Sequence, residues 1–155
     1  MRIADHFAAS NDFYGELLRI KTENLMTENE ISLLRENRII PFYNSNLFHK
    51  ILSAEKVERE YRFVSNLEQA QLKNYFSDMG NASVAVQGIC DLIIFFNDKI
   101  IIADYKTDRT DSMETLKQKY ASQLLIYKSA VEKIFRKSVS ECILYSFFLN
   151  EEISF

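Results

Sequence analysis

Three charged side chains in the middle of the chain interrupt or close apolar segments. Asp91 lies inside the segment 87–94, and Asp104 and Lys106 close the segment that begins at Ile100. Two carboxylates suit a hard divalent cation such as Mg²⁺, with Mn²⁺ as a substitute, which polarises a phosphate and lowers the pKa of bound water. A nearby ammonium group can neutralise developing charge or orient the nucleophile. These residue types and spacings predict metal-dependent phosphodiester hydrolysis.

The predicted secondary structure brings the two carboxylates together. Residues 83–96 and 99–106 read as strands, and Asn97-Asp98 between them is a two-residue turn signal. Pairing around this turn places Asp104 opposite Asp91. Facing carboxylates repel each other unless a cation lies between them, so the hairpin favours a metal site.

A plainer interpretation treats the same residues as ordinary strand-end charges. Lys106 lies on the face of Asp104, because strand side chains alternate, and Asp104 then pairs with Lys106 or with Lys99. That interpretation must place two aspartates on a face made of Ile, Leu, Val and Phe, where an unpaired buried charge costs several kcal/mol. The metal site explains the pattern better.

The remaining elements predict an α/β fold. Apolar spacing indicates an early helix, Thr27 and Glu30 form a capping box before a second helix, and Pro41 suits the first turn of a third. We find no interior domain boundary. The predicted helices are 12–25, 27–35, 42–53 and 112–135, and the predicted strands are 57–64, 83–96, 99–106 and 140–149. In the first strand, one face is expected to carry Val57, Arg59, Tyr61 and Phe63.

Composition indicates a soluble globular domain. The 155 residues are 47% hydrophobic and 26% charged, which argues against disorder, and charges interrupt every apolar run before it reaches membrane-spanning length. The N-terminus lacks a signal or transit pattern, so we expect a cytoplasmic location. Cys90 and Cys142 lack metal-site spacing and are interpreted as core thiols. The net charge of −3 does not decide about nucleic-acid binding.

Short motifs contain these charges and continue into the long helix. They are Gly88-Ile-Cys-Asp91, Asp104-Tyr-Lys106-Thr-Asp108 and Gln123-Leu-Leu-Ile-Tyr127, preceded by Arg59-Glu60-Tyr61-Arg62-Phe63. They resemble the Gly-x-x-Asp, Asp-Tyr-Lys-Thr, Gln-x-x-x-Tyr and Arg-Glu-x-x-Phe motifs of the RecB/AddA branch of the PD-(D/E)XK nuclease superfamily. Upstream, the segments starting at Leu25 and Ile40 look like the AddA type, so the resemblance covers roughly residues 15–155.

The resemblance implies a restriction-endonuclease-like fold, with a mixed central sheet flanked by helices. A single nuclease domain over 1–155 is expected, with a helical part at 1–56 and the nuclease core at 57–155. The implied activity is a Mg²⁺-dependent DNA exonuclease that processes double-strand breaks in recombinational repair. In that branch the domain is the C-terminal part of a longer helicase-nuclease. The expected partners are therefore DNA, a helicase portion of the same polypeptide and a partner subunit.

The resemblance also implies roles for individual residues. Asp91 and Asp104 would bind the metal, the Tyr105 carbonyl would complete its shell, Lys106 would be the catalytic lysine, and Glu60 would support the site. Gln123 and Tyr127 would orient the site and contact DNA, although Tyr127 also lies in the apolar stripe of its helix and packing is the alternative. Arg109 follows the Asp-Tyr-Lys-Thr motif directly and is placed to contact phosphate, whereas most lysines of the long helix are expected to be solvated.

One feature of the branch is missing. Its members usually carry a metal-binding histidine in a Gly-Thr-x-x-His context on an early helix, and this sequence has no such motif. His49 falls in the third predicted helix, which leaves His6 or a histidine upstream of this sequence. The isolated chain is therefore expected to be a weak nuclease or none. Two other functions therefore stay open: a catalytically inactive nuclease-like domain that binds DNA or acts as a scaffold, and a free-standing phage or defence nuclease.

Overall fold

The computed structural model describes residues 12–34, 36–68 and 83–155. The chain divides into two compact units, Met1–Ser53 and Ala54–Phe155. The first is helical in its described residues, and the second contains a sheet and a long helix. Across the described ranges, no helix has the length and apolar character needed to cross a membrane.

The first unit contains four described helices, and three of them start at a capping residue. The predicted capping box is confirmed: the Thr27 hydroxyl accepts from the Glu30 N–H, and the Glu30 carboxylate accepts from the Thr27 N–H at 2.8 Å. Asp12 caps the first helix by accepting from the Gly15 N–H at 3.0 Å. The helices are α1 (Phe13–Thr22), α2 (Glu28–Ser32), α3 (Glu36–Tyr43) and α4 (Asn46–Leu52).

The prediction of one helix over 42–53, with Pro41 in its first turn, is wrong. Pro41 lies inside α3, which ends two residues later at Tyr43. Proline in a helix interior removes one main-chain hydrogen bond and crowds the preceding turn, so a short helix is the expected result. Ser45 then starts α4, where its hydroxyl accepts from the Phe48 N–H at 3.1 Å.

The second unit is a five-stranded mixed sheet in the order β1-β2-β3-β4-β5. Strands β3 and β4 are parallel, and the other neighbours are antiparallel. The long helix α5 connects the parallel pair, as such a connection requires. The elements are β1 (Lys56–Leu67), β2 (Val84–Phe95), β3 (Ile100–Lys106), α5 (Met113–Phe135), β4 (Val139–Ser146) and β5 (Glu151–Ser154).

Strand β5 is a feature that the sequence analysis missed. A tight turn precedes it, in which the Asn150 N–H donates to the Ser146 carbonyl at 2.8 Å and Asn150 has a φ of 58°. Asparagine tolerates this left-handed conformation better than most residues. The strand has only four residues, and its turn contains neither Gly nor Pro. The sequence therefore contains no strong turn signal before it.

Helix α5 packs one face onto the sheet. Leu116, Leu124 and Val131 are at most 1% exposed and lie in a core cluster with both cysteines. Cys90 and Cys142 are 2% and 0% exposed, which confirms them as core thiols. Their burial raises the pKa of the Cys90 thiol to about 12 and that of Cys142 to about 11. Neither thiol is therefore suited to nucleophilic chemistry.

Candidate functional site

The β2–β3 hairpin places two aspartates where its regular pairing ends. The strand pairs run back from the turn to Leu92↔Ala103, in the predicted register. The next residues in that register are Asp91 and Asp104. Here a side chain replaces a main-chain acceptor, because the Tyr105 N–H donates to Asp91 Oδ2 at 2.9 Å. The strands are thus held together at this point by the Asp91 carboxylate.

A third acidic residue lies in the same row of the sheet. Glu60 of β1 lies between the pairs Arg59↔Leu92 and Tyr61↔Cys90, as Asp91 does on β2, but Glu60 and Asp91 are not themselves paired. Glu60 has a φ of 48°, in the left-handed region that residues other than glycine seldom adopt. Its side chain is exposed. Strained backbone of this kind is often found beside functional sites.

The alternation of β1 side chains between the two faces of the sheet changes at this left-handed residue. Tyr61 and Phe63 pack in the core under α5, and Phe95 of β2 does so too. Lys56 pairs with Phe95 and holds its Nζ 5.7 Å from the ring centre, so Lys56 lies on the α5 side. Val57 therefore lies on the other face. The prediction of one continuous face through Val57 and Phe63 is wrong, because strict alternation does not continue through a left-handed residue.

Asp104 and Lys106 form an ion pair near the surface of this core. Asp104 is only 6% exposed. Its burial raises the pKa of its carboxyl above the ordinary value, the Lys106 ammonium opposes that rise, and the charge of Asp91 adds to it. Burial therefore disfavours the charged form of Asp104, and the neighbouring Lys106 ammonium favours it.

Helix α5 adds two residues to this group that sequence reasoning does not assign to it. Lys106 Nζ lies 3.9 Å from the centre of the Tyr120 ring. The Tyr120 hydroxyl donates to Asp108 Oδ1 at 2.9 Å, and Lys119 Nζ donates to the same oxygen at 2.8 Å. The hydrogen bond from Lys119, followed by that from Tyr120, lowers the pKa of Asp108, and Asp108 in turn raises that of Lys119. The sequence signal that could have indicated Tyr120 is its position three residues before Gln123. The same position also fits an ordinary apolar stripe of the helix.

The two residues of the Gln-x-x-x-Tyr motif meet on α5. Gln123 Nε2 donates to the Tyr127 hydroxyl at 3.0 Å. The Tyr127 ring packs edge-on against Phe63, with centroids 5.0 Å apart. A Cβ at Gly88 would lie 2.8 Å from the same ring. The glycine of the Gly-x-x-Asp motif thus leaves room for Tyr127, and the packing role expected as the alternative is present.

The other predicted site residues lie outside this group of contacts. Arg109 is exposed in the segment between β3 and α5. Three lysines at or near α5 contact the protein itself: Lys133 donates to the Asn66 carbonyl, Lys137 donates to the Phe96 carbonyl, and Lys117 Nζ lies 5.3 Å from the Phe155 ring centre. Lys133 is exposed all the same, and the expectation that most of these lysines are solvated stays a prediction.

The first metal ligand is not identified among the described residues. His6 lies outside them, and His49 belongs to α4 in the first unit. Within residues 12–34, 36–68 and 83–155, no group of three or more His, Cys, Asp or Glu side chains is arranged to hold a metal ion.

Comparison with known proteins identifies the family of the chain. A family model described as the PD-(D/E)XK nuclease superfamily matches residues 8–151. The chain belongs to this superfamily. The mixed sheet with its helices is consistent with the restriction-endonuclease-like fold of the superfamily, and the predicted fold class is confirmed.

Curated relatives from three bacteria are similar to this superfamily member, and each is named as a subunit of an ATP-dependent helicase/nuclease. The relative from Clostridium botulinum is 35% identical over 143 residues, which are 89% of this chain and 12% of the relative. That from Ligilactobacillus salivarius is 34% identical over 88% of this chain and 11% of the relative. That from Listeria innocua is 34% identical over 92% and 12%. The chain thus spans about an eighth of the length of these relatives, and the predicted AddA-type resemblance is confirmed.

Proposed function

We propose that this chain is a metal-dependent deoxyribonuclease domain that hydrolyses phosphodiester bonds, as an exonuclease, during the processing of DNA double-strand breaks. The observation that carries the proposal is the meeting of Asp91, Asp104 and Lys106 at one end of the β2–β3 hairpin. Membership of a nuclease superfamily supports the reaction class.

The donor atoms at this end of the hairpin fit Mg²⁺, with Mn²⁺ as a substitute. The carboxylates of Asp91 and Asp104 and the main-chain carbonyl of Tyr105 are all oxygen donors, which hard divalent cations prefer. Asp104 is only 6% exposed, and a buried carboxylate is stabilised by positive charge close to it, which supports this assignment. When bound, the ion supplies polarisation of the phosphate and a lowered pKa of coordinated water. We assign the missing protein ligand to His6 or to a residue beyond this sequence.

Lys106 is the proposed catalytic residue. Its ammonium group lies next to Asp104 on the same face of β3, so it can donate to a phosphate oxygen or to the attacking water. Glu60 lies in the row of β1 next to Asp91 and is exposed, which suits a supporting role toward water at the site. Gln123 and Tyr127 hold one another beside Gly88, and Arg109 is exposed and placed to contact a phosphate.

The wider setting is proposed from the relatives. They are named as subunits of ATP-dependent helicase/nucleases, and this chain matches about an eighth of their length. We infer that it acts on DNA as a nuclease domain beside a helicase portion of the same polypeptide, together with a partner subunit, in the cytoplasm.

Digestion of labelled linear DNA tests the proposal. The purified chain is compared with Asp104→Asn in Mg²⁺, in Mn²⁺ and in EDTA, with single- and double-stranded substrates. Lys99→Ala is the matched control, because Lys99 lies at the turn of the same hairpin and is exposed. We expect weak digestion that requires the metal, is lost in Asp104→Asn and persists in Lys99→Ala. Digestion that continues in EDTA, or unchanged in Asp104→Asn, would contradict the proposal.

A second candidate function is a nuclease-like domain that binds DNA without cutting it. The observation that favours it is the lack of a third arranged ligand side chain within the described residues. Under this alternative, labelled DNA binds to the chain but is not digested in either metal, and Asp104→Asn leaves the binding unchanged. DNA-binding and digestion assays on the same preparation distinguish the two functions.

A further inference from the structure

Tyr120 lies between two charged groups of the site. One face of its ring is 3.9 Å from Lys106 Nζ, and its hydroxyl donates to Asp108. Its neighbours in the apolar stripe, Leu116 and Leu124, are each 1% exposed and lie in the core, whereas Tyr120 is only partly buried. Core packing alone does not explain why both the ring face and the hydroxyl of this side chain have charged partners.

We propose that Tyr120 is a positioning residue for Lys106: the face of its ring holds the ammonium group at the site, and Asp108 fixes the ring. The inference rests on the proposed function, in which Lys106 is the catalytic residue. It adds a residue on α5 that determines where the Lys106 ammonium group lies.

Lys106 needs a second partner besides Asp104. A lysine side chain is long and rotates about four bonds, so one ion pair does not hold its ammonium group in one place. Asp104 is also a proposed metal ligand, and a carboxylate that balances a divalent cation attracts a nearby ammonium group less strongly. The Tyr120 ring is then the contact that continues to hold Lys106.

An aromatic ring suits this task better than a second carboxylate. The negative face of the ring attracts a cation, but it does not neutralise the charge as a carboxylate does. The N–H groups of Lys106 that point away from the ring are therefore left to donate to a phosphate oxygen. A positioning residue of this type keeps the positive charge available for catalysis.

Asp108 supports the ring from the opposite end. It accepts hydrogen bonds from the Tyr120 hydroxyl at 2.9 Å and from Lys119 Nζ at 2.8 Å. Lys119 Nζ also lies 4.8 Å from the ring centre, so two ammonium groups approach the same ring. Lys106 Nζ lies closer to the ring centre than Lys119 Nζ does, so the ring mainly positions Lys106. The hydrogen bond to a carboxylate also fixes the rotation of the ring.

Three variants separate these contributions. Tyr120→Phe keeps the ring and removes the hydrogen bond to Asp108, while Tyr120→Leu removes both. Phe135→Leu is the matched control, because it removes an aromatic ring from the other end of α5, where Phe135 contacts Tyr61 and Phe95. Thermal unfolding of each variant shows whether it is folded at the assay temperature.

The first measurement uses NMR without metal or DNA. An ammonium group held against a ring face places the neighbouring methylene protons of Lys106 in the shielding region of the ring. We expect these protons to resonate upfield in the wild-type chain, in Tyr120→Phe and in Phe135→Leu, and to return to ordinary lysine positions in Tyr120→Leu. Ordinary positions in the wild-type chain would overturn the proposal, whether or not the chain digests DNA.

The second measurement is the kinetics of DNA digestion. We expect Tyr120→Leu to lower kcat by about tenfold to thirtyfold, with KM for DNA nearly unchanged, and Tyr120→Phe to stay within about threefold of the wild type. In a Lys106→Ala background, Tyr120→Leu should have no further effect, because it acts through Lys106. A decrease of the same size in both backgrounds would overturn the positioning role.

The two measurements distinguish this inference from the proposed function. If the wild-type chain digests no DNA but shows the upfield lysine protons, the proposed function fails and the contact between Tyr120 and Lys106 stands. If digestion requires Lys106 and is unaffected by Tyr120→Leu, the proposed function stands and the positioning role is refuted.

Discussion

The two ends of the β2–β3 hairpin contain the same strands but differ in their chemistry. Near the turn, Ile93, Ile94, Ile101 and Ile102 are at most 2% exposed, and the strands pair regularly. At the other end the pairing stops, a carboxylate accepts the main-chain N–H of Tyr105, and charged side chains replace apolar ones. The apolar end supplies stability, and that stability allows the other end to hold buried charges that oppose folding.

The largest effect on stability is expected at the apolar end. Ile102→Ala removes three carbon atoms from a side chain that is 1% exposed in the core under α5. We expect the free energy of unfolding to fall by about 2 to 5 kcal/mol. Urea unfolding followed by circular dichroism measures it. A loss below about 0.5 kcal/mol would show that the apolar end does not supply the stability of the hairpin.

The next effect is expected where α5 meets β2 near the charged end. Gly88→Ala places a Cβ 2.8 Å from the Tyr127 ring, so the ring or the strand must shift. We expect destabilisation of about 1 to 3 kcal/mol. Combining it with Tyr127→Leu, which removes the opposing ring, should cost less than the sum of the two single changes. Additive losses would show that the ring does not require the glycine.

A smaller effect is expected at Asp104. Asp104→Asn removes a buried charge, which favours folding, but it leaves Lys106, whose side chain is 13% exposed, without its carboxylate, which opposes it. Because the two effects have opposite signs, without metal we expect the free energy of unfolding to change by less than about 1 kcal/mol. Mg²⁺ or Mn²⁺ should raise the melting temperature of the wild-type chain and not that of the variant, because only the folded wild type has both carboxylates. Equal responses to metal in both proteins would place the binding elsewhere.

The smallest effect is expected at Asp108, whose side chain is one-third exposed. Its hydrogen bonds from Lys119 and Tyr120 lower the pKa of its carboxyl in the folded state below the ordinary 3.8. The stabilisation is therefore fully present above pH 3.8 and is lost as the pH falls through the lowered value. Asp108→Asn should cost about 0.5 kcal/mol at pH 7. Unfolding curves at pH 7 and near pH 2 should show this difference disappearing in acid; a constant difference would refute the ionic origin.

The sequence is sufficient to locate the charged end of the hairpin, but not the residues of α5 that pack beside it. The Asn97-Asp98 turn and strand alternation were sufficient to place Asp104 opposite Asp91 and beside Lys106, because each is a local rule of β structure. The contact of Tyr120 with Lys106 depends on how α5 lies across the sheet, and no local rule specifies that.

Two errors elsewhere have local causes. The left-handed backbone at Glu60 reverses the alternation of β1, and a glutamate gives no sequence signal for such a conformation. Pro41 is compatible with two positions in a helix, and Ser45, which caps the following helix, was the signal that could have decided between them.

The most direct test of the account is the effect of Lys106→Ala on digestion of linear duplex DNA in Mn²⁺ and Mg²⁺, with Lys99→Ala as the control. Both variants remove one lysine from the same hairpin, but only Lys106 contacts Asp104 and the Tyr120 ring. We expect Lys106→Ala to lower the rate by about 100-fold or more, without loss of folding, and Lys99→Ala to change it by less than about twofold. Digestion by Lys106→Ala within about tenfold of the wild-type rate would contradict the assignment of the nuclease site to the charged end of the hairpin.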